Sequence, residues 1–217
     1  MQRFITDARR WAPGIRKLHV YIVPDLTRDI ALHDLVARTR SVVRPAFGHC
    51  LAEVPDEWLH ATLRAVAGVP SADISATQRA AFTSALTDGL AAVPAFTSIA
   101  GPPMATTTAV LLDVDGDHPG GPWRAMGAAV TAAIAAVFGD AALAMDPGAP
   151  HLTVGYGTAE EDSGRIQSLL RKQVRSARAT LSVNEVHVVD VAQNAADSSY
   201  RWETVARIPL SAGAVVA

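Results

Sequence analysis

Two short stretches of the chain share one form. His60-Ala61-Thr62-Leu63 and His151-Leu152-Thr153-Val154 each read histidine, apolar, threonine, apolar, and the two histidines stand 91 positions apart. In an extended strand, residues i and i+2 project from one face about 6.6–6.8 Å apart, while i+1 and i+3 enter the other. Each stretch can therefore offer an imidazole and a hydroxyl to a cleft and two apolar anchors to a core. Histidine titrates near pH 6.5, so of two opposed imidazoles one can be neutral and accept a proton while the other is charged and donates one. Such a pair is a general base and a general acid. Two threonine hydroxyls beside them can hold the negative charge that develops during a displacement.

Positioning these residues requires strands, and the apolar pattern supplies them. Residues 19–23 read as a strand with His19, Tyr21 and Val23 on one face, and a helix follows over 28–40. The alternation over 58–66, ending at Gly68 and Pro70, predicts the strand that carries the first motif. A helix is expected over 75–91, capped by Ser75, with Ala80, Ala81, Leu86 and Leu90 near helical spacing. The second half repeats the rhythm: a β-branched run over 107–114 stops in Asp115-Gly116-Asp117, and a helix runs from Pro122 to Phe138 with Gly139 placed to end it. A strand over 151–156 carries the second motif, a charged helix spans 160–177, and strands over 179–191 and 200–209 close the chain.

Composition narrows the class. The chain has 217 residues, 18% charged and 49% hydrophobic, which is enough to bury a substantial core. Nineteen basic residues against 21 acidic ones leave a formal charge of −2, so no global field holds a long nucleic acid. Cys50 is the single cysteine, which excludes an internal disulfide and gives it no companion for a thiolate metal site. The segment MQRFITDARRWAPGIRK lacks the apolar core of a signal peptide. Of two uncharged stretches, 125–139 is too short to span a bilayer and 89–112 is broken by Pro94, Pro102 and Pro103. A cytoplasmic monomer with no membrane or protein partner is expected.

Paired His-apolar-Thr-apolar stretches about ninety residues apart in a chain of this length resemble the 2H phosphoesterase superfamily, which includes 2′-5′ RNA ligase-like proteins and cyclic phosphodiesterases. The likeness extends over HVYIVPD, WLHATLRAV, HLTVGYG, SVNEVHVVDV and YRWETVARIPL, although only the two histidine motifs are specific. It implies an α+β fold of two pseudo-symmetric lobes, each with an antiparallel sheet and packed helices, around a central groove, in one domain over 1–217. It also implies His60, Thr62, His151 and Thr153 as catalytic residues, no cofactor and no metal. The expected substrate is a nucleotide or RNA end carrying a 2′,3′-cyclic phosphate. Ligation of 2′-5′ RNA ends, which uses the same acid and base in the reverse sense, and a non-catalytic nucleotide-binding module are the alternatives.

Several neighbours are candidates for substrate contact. Arg64 continues the His60–Thr62 face and could meet a phosphate, whereas its counterpart in the second motif is Gly155. Tyr21 could stack on a base or serve as packing, and Tyr156 reaches the His151 face only if the strand bends at Gly155. Trp58 reads as a cleft wall, Trp202 as core or base platform, and His19 as a strand histidine beside the groove. A metal-dependent alternative would use His60, His151 and an aspartate such as Asp113, but threonine is a poor ligand and no close histidine pair exists. The sequence Asp113-x-Asp115-Gly116-Asp117 departs from a calcium loop, with its glycine two positions early and Arg124 where a bidentate glutamate belongs.

Overall fold

A computed structural model describes residues 1–116 and 118–212, so Asp117 of the expected turn lies outside the described residues. Among the described residues, nine strands form two antiparallel sheets. β1 (Arg16–Ile22), β3 (Ala61–Ala65), β8 (Glu185–Asn194) and β9 (Ser199–Pro209) make the first, in the order β3-β1-β8-β9. β2 (Leu51–Glu53), β4 (Phe96–Ala105), β5 (Ala109–Asp115), β6 (His151–Gly157) and β7 (Ala179–Val183) make the second, in the order β2-β6-β5-β4-β7. The four α-helices of the described residues pack against these sheets. α2 (Ala76–Leu90) and α3 (Pro122–Phe138) pack with the first sheet, and α1 (Ile30–Phe47) and α4 (Ser163–Gln173) with the second. The architecture is α+β with two lobes of like construction, as the sequence implied.

The helix ends follow from local chemistry. Ser75 and Gln78 form a reciprocal capping box on α2, with the Gln78 backbone N–H donating to the Ser75 hydroxyl at 3.2 Å. Pro122 opens α3, and Gly139, at φ 81°, closes it. α2 buries Phe82, Leu86 and Leu90 on one stripe, whereas Ala80 and Ala81 are not buried, so the apolar face is narrower and heavier than the expected one. One contiguous core runs from Leu18, Val20 and Phe82 on the first-sheet side to Leu112, Val154 and Ile166 on the second.

Four elements differ from the sequence pattern for identifiable reasons. α1 continues past Arg40 through Pro45 in its last turn, because burial of Val43 and Phe47 outweighs the backbone bond that proline removes. The first motif's strand begins only at Ala61, after a 3₁₀ turn at Asp56–Trp58. The apolar run at 179–191 breaks at Asn184 into β7 and β8, which join different sheets, and a continuous apolar pattern carries no mark of such a switch. β4 is disguised by Gly101, Pro102 and Pro103, which sit where its register with β5 slips by one residue. A bulge is where a strand tolerates proline.

Phe82 is fully buried and its ring meets Phe138 at 5.2 Å between centroids. Phe82→Ala is expected to cost about 3–5 kcal/mol of unfolding free energy, read from urea denaturation. A loss under about 1 kcal/mol would show that the α2 stripe does not support the first lobe.

Candidate active site

β3 and β6 belong to different sheets and share no ladder, yet their Cα atoms approach within 8 Å. Each carries one motif. At the entrance of β3, His60 Nδ1 lies 2.9 Å from the Trp58 carbonyl oxygen, and at the entrance of β6, His151 Nδ1 lies 2.8 Å from the Ala149 carbonyl oxygen. A carbonyl oxygen can only accept, so both Nδ1 atoms carry the proton. When either ring is neutral, its lone pair therefore sits on Nε2. Two motifs 91 residues apart thus use the same bond, to the carbonyl two residues upstream, to fix the same tautomer.

The two histidines sit in unequal surroundings. His60 is 8% exposed and His151 half-buried. Burial pushes the His60 pKa down to about 4; its bond to the Trp58 carbonyl opposes the shift, and the His151 charge adds to it. The strands that carry the two rings are neighbours, so each imidazole stands in the field of the other. Tyr21 lies flat on His60, with centroids 4.0 Å apart and planes at 19°. Its hydroxyl lies 2.8 Å from His19 Nδ1. His19 is buried as well, its Nε2 has no partner among the described residues, and burial, with the charges of His60 and Lys17, lowers its pKa to about 3.

Both motif strands carry an extra residue directly after the threonine. Opposite β1, Tyr21 pairs with Thr62 and Val20 with Arg64, leaving Leu63 unpaired; opposite β5, Leu111 pairs with Thr153 and Val110 with Gly155, leaving Val154 unpaired. These bulges bend the strands and re-aim the next side chains along them. Tyr156 consequently turns into the aromatic side of the cleft, where its ring meets Phe4 at 4.5 Å and Tyr200 at 5.8 Å. Burial raises its pKa well above the usual phenol value, and its side-chain contact with Thr153 offsets part of the rise. The irregularity on which the facing of Tyr156 turns thus falls at Val154, one residue before Gly155. Tyr21 and Tyr156 are both buried, so they pack beneath the groove rather than offering an open face. Arg64 is braced elsewhere: its Nε donates to Thr131 Oγ1 on α3 and one Nη to the Met145 carbonyl, each at 3.2 Å.

An aromatic wall completes the cleft. Trp202 from β9 stands edge-on to His60 at 5.0 Å and to Trp58 at 4.9 Å. Tyr200 bridges the lobes, contacting Trp11 on one side and Phe4 and Tyr156 on the other. Phe4, Trp11 and Tyr200 carry no motif that would single them out in the sequence. The available signal was scarcity: aromatic residues are 6% of the chain, yet all three tyrosines and three of the four tryptophans gather here.

Other candidates fall away. His33 Nε2 lies 3.1 Å from an Asp56 carboxylate oxygen and His187 Nε2 2.8 Å from one of Glu185, so each is engaged by a carboxylate. Asp113 stands opposite His151 in the β5–β6 register, but His60, His151 and Asp113 form no ligand cluster among the described residues. No described helix is long and apolar enough to cross a membrane.

The sequence matches the profile of the 2′-5′ RNA ligase superfamily over residues 28–195, which spans both motifs and the strands that hold them. The chain belongs to that superfamily. Its fold resembles that of TT0787 of Thermus thermophilus, with a TM-score of 0.66 at 12% identity over 91% of this chain and 99% of the other. E. coli LigT in complex with 3′-AMP superposes at a TM-score of 0.61 and 14% identity, over 91% of this chain and 99% of LigT. LigT complexed with ATP gives 0.57 at 15% identity, with the same coverage. At these identities the likeness is one of fold. No curated protein matches the chain in sequence.

The depressed histidines make this superfamily member acid-sensitive in a defined window. Unfolded histidine titrates near pH 6.5, whereas folded His60 and His19 do so at about 4 and about 3, so the unfolded chain binds more protons between those limits. Their contribution is complete above pH 6.5 and is lost as the pH falls toward 3. His19→Gln removes one of the two groups. Its urea midpoint is expected to fall less between pH 7 and pH 4.5 than that of the unaltered protein, and equal falls would contradict the assignment.

Proposed function

We propose that this chain is a phosphodiesterase that hydrolyses 2′,3′-cyclic phosphates of nucleotides or RNA ends, with His60 and His151 as general base and general acid. The observation that carries the reading is the pair of Nδ1-anchored imidazoles at the heads of two strands that approach within 8 Å, each with its Nε2 left for proton transfer. His60, kept neutral by burial, accepts the proton of the attacking water through Nε2. As the water oxygen bonds to phosphorus and a P–O bond to ribose breaks, His151 delivers its Nε2 proton to the departing ribose oxygen. Thr62 and Thr153 donate hydrogen bonds to the non-bridging oxygens, where charge accumulates. The half-buried rings of Trp58 and Trp202 beside His60 suit the flat face of a base. Support for a nucleotide in the groove also comes from the fold likeness to LigT, of which complexes with 3′-AMP and ATP exist.

The superfamily's description names ligation, and the same constellation serves it when a ribose 5′-hydroxyl replaces water as the nucleophile. The base and acid keep their atoms, and only the incoming oxygen changes.

The test is turnover of a panel of cyclic mononucleotides and cyclic-ended oligonucleotides. His60→Ala and His151→Ala are each expected to lower kcat by about 10²–10⁴-fold. Full activity in either variant overturns the assignment. The rate should rise with pH through about 4 as His60 loses its proton. An acid limb near 6.5 instead would mean that His60 is not the base.

A further inference from the structure

Away from the groove, the turn after α1 and the connection from β6 to α4 bring together three different metal-binding groups. His49, Cys50 and Glu161 each present a ligand atom, and the three atoms all lie within 4.8 Å of one another. We propose that they form a zinc(II) site. His49 Nε2 already stands 3.4 Å from Glu161 Oε2. In a tetrahedral zinc site with bonds of about 2.0–2.3 Å, neighbouring ligand atoms lie about 3.3–3.7 Å apart, so only a small closure is needed. One thiolate, one imidazole and one carboxylate suit the borderline-soft zinc ion and leave a fourth position for water.

The surrounding bonds hold the donors as ligands are held. Glu161 Oε1 accepts the Asp162 backbone N–H at 2.9 Å and faces Arg165 at 3.3 Å, which leaves Oε2 turned toward His49. Orientation of a ligating carboxylate through its other oxygen is a recurrent feature of metal sites. The Cys50 backbone is fixed by the Thr158 N–H, which donates to its carbonyl at 2.8 Å, and by the adjacent pairing of Leu51 with Gly157. The carbonyl end of α1, whose partial negative charge favours a cation, terminates beside it at Gly48. His49 is exposed, so an ion can reach the two covered donors from solvent. Binding converts the Cys50 S–H to a zinc-bound thiolate and releases one proton.

The site lies next to Gly157, at the opposite end of β6 from His151, about 20 Å away at the rise of a strand. It therefore takes no part in the proposed reaction and stands whatever chemistry the groove performs. Its effect would be to tie the α1–β2 turn to the β6–α4 connection.

The test uses untagged, metal-stripped full chain. Zinc titrated against a chromophoric chelator should bind at one equivalent with Kd below about 1 μM. At about 100 times Kd it should raise Tm by about 5–10 °C. Cobalt(II) should give a near-ultraviolet sulfur-to-metal charge-transfer band. Cys50→Ser should abolish that band, and His49→Ala, an exposed change that leaves the core intact, should weaken zinc at least 10-fold. Absence of binding, cobalt binding without the sulfur band, or affinity unchanged in both variants would overturn the proposal.

Discussion

The site depends on a hydrogen bond made twice: an imidazole Nδ1–H given to the carbonyl two residues upstream. That bond fixes which nitrogen faces the cleft, and without it a neutral histidine could present either a donor or a lone pair. It is possible because each histidine stands at the threshold of a strand rather than inside one. His60 follows the 3₁₀ turn Asp56–Trp58, and His151 follows Pro150, so the upstream carbonyls are not consumed by a sheet ladder. The threonine two positions later is already in register with a neighbour, which sets the hydroxyl relative to the ring.

Equal bonding occurs in unequal surroundings. Tyr21 covers one face of His60 and Trp202 meets it edge-on, and the resulting desolvation keeps that ring neutral. His151 has no such aromatic cover among the described contacts. Where like groups occupy unlike environments, base and acid can be told apart, and this asymmetry is invisible in two motifs that read alike.

What the sequence made legible was local. The motifs, the cap at Ser75 and the limits of α3 each rest on residues within one turn or one strand. What it hid was relational. The bulges at Leu63 and Val154 shift facing without altering the apolar pattern, so Arg64 could be placed on the motif face and Tyr156 off it. β4 read as a proline-broken stretch because the bulge that accommodates Pro102 is a property of its pairing with β5. Phe4, Trp11 and Tyr200 come from segments with no motif of their own, and Cys50 gains its companions only when Glu161, 111 positions away, folds back on it.

The separation of the two histidines is set by a short strap rather than by a hinge. The chain leaving α3 first meets the end of β3, where the Ala67 N–H donates to the Ala142 carbonyl at 2.9 Å. Arg64 then holds the Met145 carbonyl while bracing itself on Thr131 of α3. Six residues later the same chain enters β6 at His151, its first residue. The second histidine is thus referenced to the strand of the first through a few backbone carbonyls, one of them gripped by a guanidinium. Arg64, expected from its spacing to reach for a phosphate, instead holds the strap. Because α1 follows β1 yet packs on the other sheet, and α3 follows β5 yet packs on the first, the lobes also exchange their helices. Neither can tilt without disturbing the common core. The exchanged helices and the strap thus fix the two motif strands relative to one another through packing that both lobes share.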